Sequence, residues 1–320
     1  MRPISAIGKF LDQPLLTAKI NKHLPVVLGA GAGIFLASEI NKAPQEDKKK
    51  TGKKSAIILA TTVLSALLAP KISSAITHRK PLMKINEVKT RNKEIADKYI
   101  CEHQDTEIKT ILEKSKDKLL SLKEISKLFN KDKAMANELI PPPENIQAKD
   151  IFREIGYLSI YGAVPVVGGI AGGIAADRVT ETNWKEGIPN KIKEGVYQYL
   201  ANIFLCNIGA GAALGVLEKL GIKSKAARCL GMTTGIILTG IIGGSFIANF
   251  IGNKLINPLI SKNCPPEERK PELIDISLHT DDIATVSLLS GLKWIEPALP
   301  ILYSVSGYRA GIGYRNNKQN

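Results

Sequence analysis

The chain is poor in aromatic residues (5%), has only four cysteines, and carries no charge at all through three of its longest stretches. Each shortage excludes something. Cys101, Cys206, Cys229 and Cys264 are far apart, with no CxxC pair and no Cys/His cluster, which argues against a disulfide framework and against a thiolate metal site. His23, His78, His103 and His279 are equally scattered, and none has a second ligand at helical spacing, so no metal is expected. Nucleophile elbow, phosphate loop and dinucleotide fingerprint are missing. The Gly-Ala-Gly-Ala-Gly stretch from Gly29 to Gly33 lies inside an apolar run, with no strand pattern before it and no phosphate-binding lysine. The expectation is therefore a protein that is not an enzyme and has no cofactor.

Glycine is absent between Gly52 and Gly156, although the chain holds 27 glycines, nearly all in or beside apolar runs. That separates a glycine-rich apolar part from a glycine-free polar insert. The insert mixes acids with bases and has few aromatic rings, so the net charge of +14 is not gathered on one basic face with stacking groups. This argues against nucleic acid as a partner and favours acidic lipid and the lysine bias of cytoplasmic loops.

What the chain does have is three uncharged apolar runs, 155–176, 195–217 and 229–253. At about 1.5 Å of rise per residue each reaches roughly 33 Å or more, enough to cross the hydrocarbon core of a bilayer. The fold class expected is all-α: a multi-pass α-helical integral membrane protein with a cytoplasmic helical-hairpin insert. Three regions follow. Residues 1–70 form a basic leader and two short glycine- and alanine-rich membrane segments. Residues 71–154 form the polar hairpin. Residues 155–320 form a membrane helix bundle of three long spans, an acidic proline-rich loop and a final broken span.

Within 1–23, Ile4, Ile7, Leu11 and Leu15 alternate with Arg2, Lys9, Lys19 and Lys22, the pattern of an amphipathic helix at an anionic membrane surface, interrupted by Pro14. A cleaved signal peptide is not expected, because this leader is longer than an ordinary n-region. The apolar runs 24–38 and 55–70 reach only about 24 Å each and are marginal spans. In the insert, Ile85, Val88, Asn92, Ile95 and Tyr99 make one amphipathic series and Ile108, Leu112, Leu119, Leu122, Ile125 and Phe129 a second, closed by Pro141, Pro142 and Pro143.

Lysine and arginine exceed acids in the insert, in 218–228 and in the C-terminal tail, but not in 177–194 or 254–282. The positive-inside rule then puts the insert and the C-terminus in the cytoplasm of a bacterial cytoplasmic membrane. The exception is the lysine cluster Lys48, Lys49, Lys50, Lys53 and Lys54, which lies outside if both short segments cross.

Pro25, Val26, Val27, Gly29, Gly33 and Ile34 recur at a constant offset as Pro165, Val166, Val167, Gly169, Gly173 and Ile174, an internal repeat. Gly29 with Gly33, Gly169 with Gly173, Gly211 with Gly215, Gly231 with Gly235 and Gly240 with Gly244 share the small-xxx-small spacing that packs membrane helices. Such glycines also let an ion or substrate approach the backbone of a broken helix. Lys293 and Glu296 are one helical step apart in the last apolar segment, either an intramembrane charge pair or an interfacial pair beside Trp294. Asn202, Asn207, Asn249 and Asn253 need hydrogen-bond partners, and with no carboxylate or histidine in the three runs a proton relay is not expected there. These features point to a structural, scaffolding or assembly role through small-residue packing. Partners would be the lipid bilayer, a second copy, and a cytoplasmic protein on the insert. The alternative is a small transporter or channel built on broken proline/glycine helices.

Overall fold

Long apolar stretches, extended at each end by polar residues that also favour helix, fold as helix even across Pro25, Pro70 and Pro165. The computed structural model describes residues 3–142, 148–222, 224–260, 269 and 293–314, and among these every regular element is a helix. Five helices are long and apolar enough to cross a membrane: Pro14–Lys42, Lys48–Thr77, Glu154–Thr180, Trp184–Lys219 and Leu230–Leu259. The runs 24–38 and 55–70 are thus the middles of helices of 29 and 30 residues, α2 (Pro14–Lys42) and α3 (Lys48–Thr77). Lysines and small polar residues at both ends continue the helix beyond the apolar part. The chain divides into two compact units.

The small unit contains Met1–Leu24, Pro81–Ile146 and Ser287–Ala298. Here the expected hairpin is replaced by four helices: α4 (Ile85–Glu102), α5 (Thr106–Ser115), α6 (Leu122–Lys131) and α7 (Lys133–Leu139). Local caps make the difference. Asp105 accepts from the N–H groups of Glu107 and Ile108, Ser121 and Glu124 form a capping box, and Asp132 accepts from Met135 N–H. The second apolar series is therefore cut into separate helices that close round Ile95, Ile108, Leu112, Leu120, Ile125, Leu128 and Met135. The leader also departs from expectation. Helix α1 (Pro3–Leu11) packs on α6, and Phe10 joins the same core. Gln13, 4% exposed, pins the leader by accepting from Leu120 N–H at 2.8 Å and donating to Leu120 C=O at 3.0 Å. Of the apolar face read as membrane-seeking, Leu15 is buried inside the protein and Leu11 half-buried, whereas Ile7 stays 49% exposed.

The large unit contains Pro25–Lys80, Gln147–Val286 and Leu299–Asn320. Its axis is α8 (Ala148–Thr180), against which α3 runs antiparallel. Arg79 pairs with Glu154 at 3.3 Å, Ser73 donates to Tyr157 C=O at 2.6 Å, and Lys54 pairs with Asp177 at 2.7 Å, so the two helices stay in register from end to end. Helices α9 (Ile188–Tyr199) and α10 (Leu205–Lys219) are joined by a π-helical turn, Leu200–Phe204. A companion helix is assembled from α11 (Lys225–Ile236), a π segment Ile237–Gly244, α12 (Ser245–Ile251), a π turn Gly252–Ile256 and α13 (Asn257–Ile260). A 3-10 turn, Lys293–Ala298, leads into α14 (Leu299–Ile312). This last helix runs parallel to α8, with Tyr303 against Tyr161 and Gly307 and Gly311 against Gly169 and Gly173. Tyr314 C=O accepts from Asn190 Nδ2 at 2.8 Å, at the end of the unit where α8 finishes and α9 begins. Most of the acidic loop 254–282 lies outside the described residues.

Candidate functional site

The glycines of α8 work on two adjacent faces. A Cβ on Gly169 would lie 1.7 Å from Gly307 O, one on Gly173 2.0 Å from Gly311 O, and those on Gly307 and Gly311 2.3 and 2.5 Å from Pro165 O and Gly169 O. These backbones are in direct contact and admit no side chain. On the neighbouring face a Cβ on Gly168 or Gly172 would strike Ser65 Oγ or Thr61 Oγ1 of α3 at 2.0 and 1.8 Å. A second glycine contact joins α10 to α11, where a Cβ on Gly209 would lie 2.4 Å from Gly235 O and one on Gly235 2.3 Å from Gly209 O.

Gly231 faces Leu217, and a Cβ on Gly244 would lie 2.8 Å from the Ala201 backbone. Gly211 and Gly240 are buried, and Gly215 is half-buried. Gly29 and Gly33 depart from the expectation, since a Cβ on either meets nothing within 4 Å. The two copies of the repeat therefore have different surroundings. Pro25 and Pro165 lie inside α2 and α8 and do not open them. Gly307, Gly311 and Gly209 were not among the expected contacts, although Gly307 and Gly311 have the same four-residue spacing.

Buried charge sits where the apolar runs end. Helix α9 starts seven residues before the run 195–217, and that extra length carries Lys191 and Glu194, 3% and 1% exposed. Lys191 and Lys54 share Asp177, while Glu181 pairs with Lys50 at 2.8 Å and Lys54 at 3.5 Å. The Glu181 carboxyl is held below the usual carboxylate range, chiefly by the Lys50 hydrogen bond and against a smaller effect of burial.

Glu194 accepts a fork from Arg269, Nε to Oε2 at 2.8 Å and a terminal nitrogen to Oε1 at 3.0 Å, with Arg309 Nε 3.7 Å away. Asn249 fixes Arg269 by exchanging two hydrogen bonds with its backbone, at 2.9 and 3.0 Å, and the guanidinium lies 3.7 Å over the Tyr197 ring. A cleft of about 40 Å³, room for a few waters, opens beside this pair between Asn190, Lys193, Asn253 and Tyr314.

From Glu194 a line of amides runs inward. Gln198 donates to Glu194 at 2.7 Å and Asn202 donates to Gln198 at 2.9 Å, each one helical step on. In an unbroken α-helix Asn207 would turn away from this face, but the π turn Leu200–Phe204 absorbs the extra residue and keeps Asn207 buried, 3% exposed. The turn loosens the backbone ladder, and side chains take up carbonyls there. Ala201 C=O accepts from Cys206 Sγ at 2.8 Å, Ile203 C=O from Asn207 Nδ2 at 2.7 Å, and Leu205 C=O from Thr239 Oγ1 at 2.9 Å. Thr239 belongs to the facing π segment, and Tyr197 is bonded to Ser245 at 2.8 Å, so the two wide turns are tied together. Asn207 Oδ1 is buried without a partner among the described residues.

Of the expected pair Lys293 and Glu296, Glu296 is buried at 6% exposure, and the side chain of Lys293 lies outside the described residues. No group of three or more His, Cys, Asp or Glu placed to hold a metal occurs among the described residues. No family model, no curated protein and no solved structure matches the chain.

Proposed function

We propose that this chain is a multi-pass membrane protein with a structural or assembly role, its bundle sealed by glycine contacts. The observation that carries this reading is the direct backbone contact of Gly169 and Gly173 with Gly307 and Gly311. Glycines spent in that way are not free to line a substrate path, and the charges beside them are spent on one another.

Charge placement supports crossing. The clamp Arg79–Glu154 at one end of α8 and the clamp Lys54–Asp177 at the other are roughly 35 Å apart along the helix, with no charge on α8 between them, which matches a hydrocarbon core of about 30 Å. Because α3 keeps register with α8 throughout, both cross together. Residues 1–24 and 81–146 share one compact unit, so α2 must then bring the chain back across. This puts Lys50 and Lys54 on the far side, against the positive-inside rule, where Asp177 and Glu181 neutralise them.

The small unit is then cytoplasmic. Tyr314, beside Asn190, emerges on the far face, a revision of the C-terminal placement expected from charge counting. One surface open to assembly is α2, where Val26 and Ile34 are 70% and 73% exposed beside the uncovered Gly29 and Gly33.

A transporter or channel is the second reading, favoured by the amide line from Glu194 to Asn207 between two π-helical turns. Flux assays in reconstituted vesicles separate the two. The structural role predicts no passage of ions or small solutes above the lipid background. Flux that disappears in Gln198→Leu would replace it with the transporter reading.

A further inference from the structure

Some lysines of the small unit are matched to a carboxylate. Lys98 pairs with Glu138 at 3.1 Å, Lys114 with Glu124 at 2.8 Å, Lys116 with Asp97 at 2.7 Å and Lys131 with Asp105 at 3.1 Å. Lys22 and Lys84 are among those that are not: within the described residues neither ammonium has an ion-pair partner, and both are exposed. They line the same open depression of about 360 Å³, together with Asn21, Asn86, Ala18 and Ile85. At Ala18 it adjoins a more apolar cleft of about 150 Å³, whose walls include Pro14, Leu82, Met83 and Val88.

Two carboxylates are near. Asp12 lines the apolar cleft, and Glu87 accepts the backbone N–H of Lys84 at 3.0 Å. Arg91, also on the cleft, is already committed to the carbonyls of Glu138 and Leu139. The two ammoniums and the two carboxamides of Asn21 and Asn86 are thus left facing open space next to an apolar slot. That combination suits an amphiphile with an anionic head. The lining has no aromatic ring on which a base could stack, which disfavours a nucleotide. Lys22 also lies on α2, which continues unbroken from the depression into the apolar run that begins at Leu24. The depression therefore opens at the level where headgroups would lie.

We propose that this depression and cleft seat one anionic phospholipid, its phosphate between Lys22 and Lys84 and the first methylenes of an acyl chain along Leu82, Met83 and Val88. The proposal rests on the membrane reading above. Its test uses the purified full chain in neutral detergent, with native mass spectrometry scoring retention of phosphatidylglycerol against phosphatidylcholine. Phosphatidylglycerol should be retained preferentially, and Lys22→Gln with Lys84→Gln together should weaken that retention on the order of tenfold. Lys98→Gln with Lys127→Gln, which removes the lysines paired with Glu138 and Glu107 in the same unit, should leave it unchanged. Glycerol phosphate and inorganic phosphate should compete only weakly, because they lack the chain that fills the cleft.

Equal retention of the two lipids, or full retention by the Lys22/Lys84 double variant, would overturn the proposal. Competition by inorganic phosphate at the same concentration as the lipid would also overturn it, by showing a phosphate site without an acyl slot. Neither lysine supports the fold, so the double variant should melt with the parent. Since the readout is made in detergent, a negative result leaves the spanning helices untouched, whereas release of the chain from membranes by alkaline carbonate would refute spanning whatever the lipid preference.

Discussion

Adding one methyl group at Gly169 and one at Gly29 should move stability in opposite directions, although the two residues occupy equivalent places in the repeat. In Gly169→Ala the new Cβ would start 1.7 Å from Gly307 O, and the obstacle is backbone that no rotamer change can move. Helices α8 and α14 would have to part by on the order of 1 Å, loosening a close-packed interface. Overpacking of this kind costs about 1–3 kcal/mol, outweighing the gain of up to about 1 kcal/mol from replacing glycine by alanine inside a helix. Gly29→Ala meets nothing within 4 Å and keeps only the gain. Thermal melting in detergent should show Gly169→Ala below the parent and Gly29→Ala at or above it. Gly307→Ala should resemble Gly169→Ala, because its Cβ would lie 2.3 Å from Pro165 O. Equal melting of Gly169→Ala and Gly29→Ala would refute the contact between α8 and α14.

Glu194→Ala leaves Arg269 buried without its carboxylate, and loss of one partner from a buried pair costs about 3–5 kcal/mol, to be measured by chemical denaturation in detergent. A loss below about 1 kcal/mol would mean that the pair is solvated. Acid should loosen the small unit. Asp105 is held below the usual carboxylate range by Lys131 and the N–H of Ile108, and Glu138 by the Tyr99 hydroxyl and Lys98. Burial would raise Glu124, but Lys114 and Ser121 outweigh it and leave it lowered. Carboxyls lower in the folded than in the unfolded chain give stability that is present above their unfolded values and lost as pH falls through the folded ones, that is, below about pH 4. Amide protection over residues 106–139, corrected for intrinsic exchange, should fall there and change little between pH 5 and 7.

The long helices were legible because an uncharged run of 22 residues or more has few alternatives to helix. Their ends were not legible. Reading only apolar residues trims a helix at its first charge, so Lys191 and Glu194 fell outside α9, and the residue that covers Glu194, Arg269, is far away in sequence. The repeat shows a different limit. Gly29 and Gly169 hold the same place in the repeat, and only the fold decides that one meets open space and the other a carbonyl oxygen. In the small unit the caps at Asp105, Ser121 and Asp132 were present as residue types but yielded to the apolar period, which turned short helices into a hairpin. The leader looked like a membrane-surface helix because amphipathicity records that a face is buried, and not what buries it.

The measurement closest to the central claim is the sidedness of Cys101, exposed on α4, relative to Lys185→Cys in the turn before α9, each carried as the only reactive cysteine. A membrane-impermeant maleimide applied to intact cells should modify Lys185→Cys and a C-terminal Gln319→Cys while sparing Cys101 until the membrane is opened. Modification of Cys101 and Lys185→Cys from the same side would contradict the crossing of α8 and with it the whole topology.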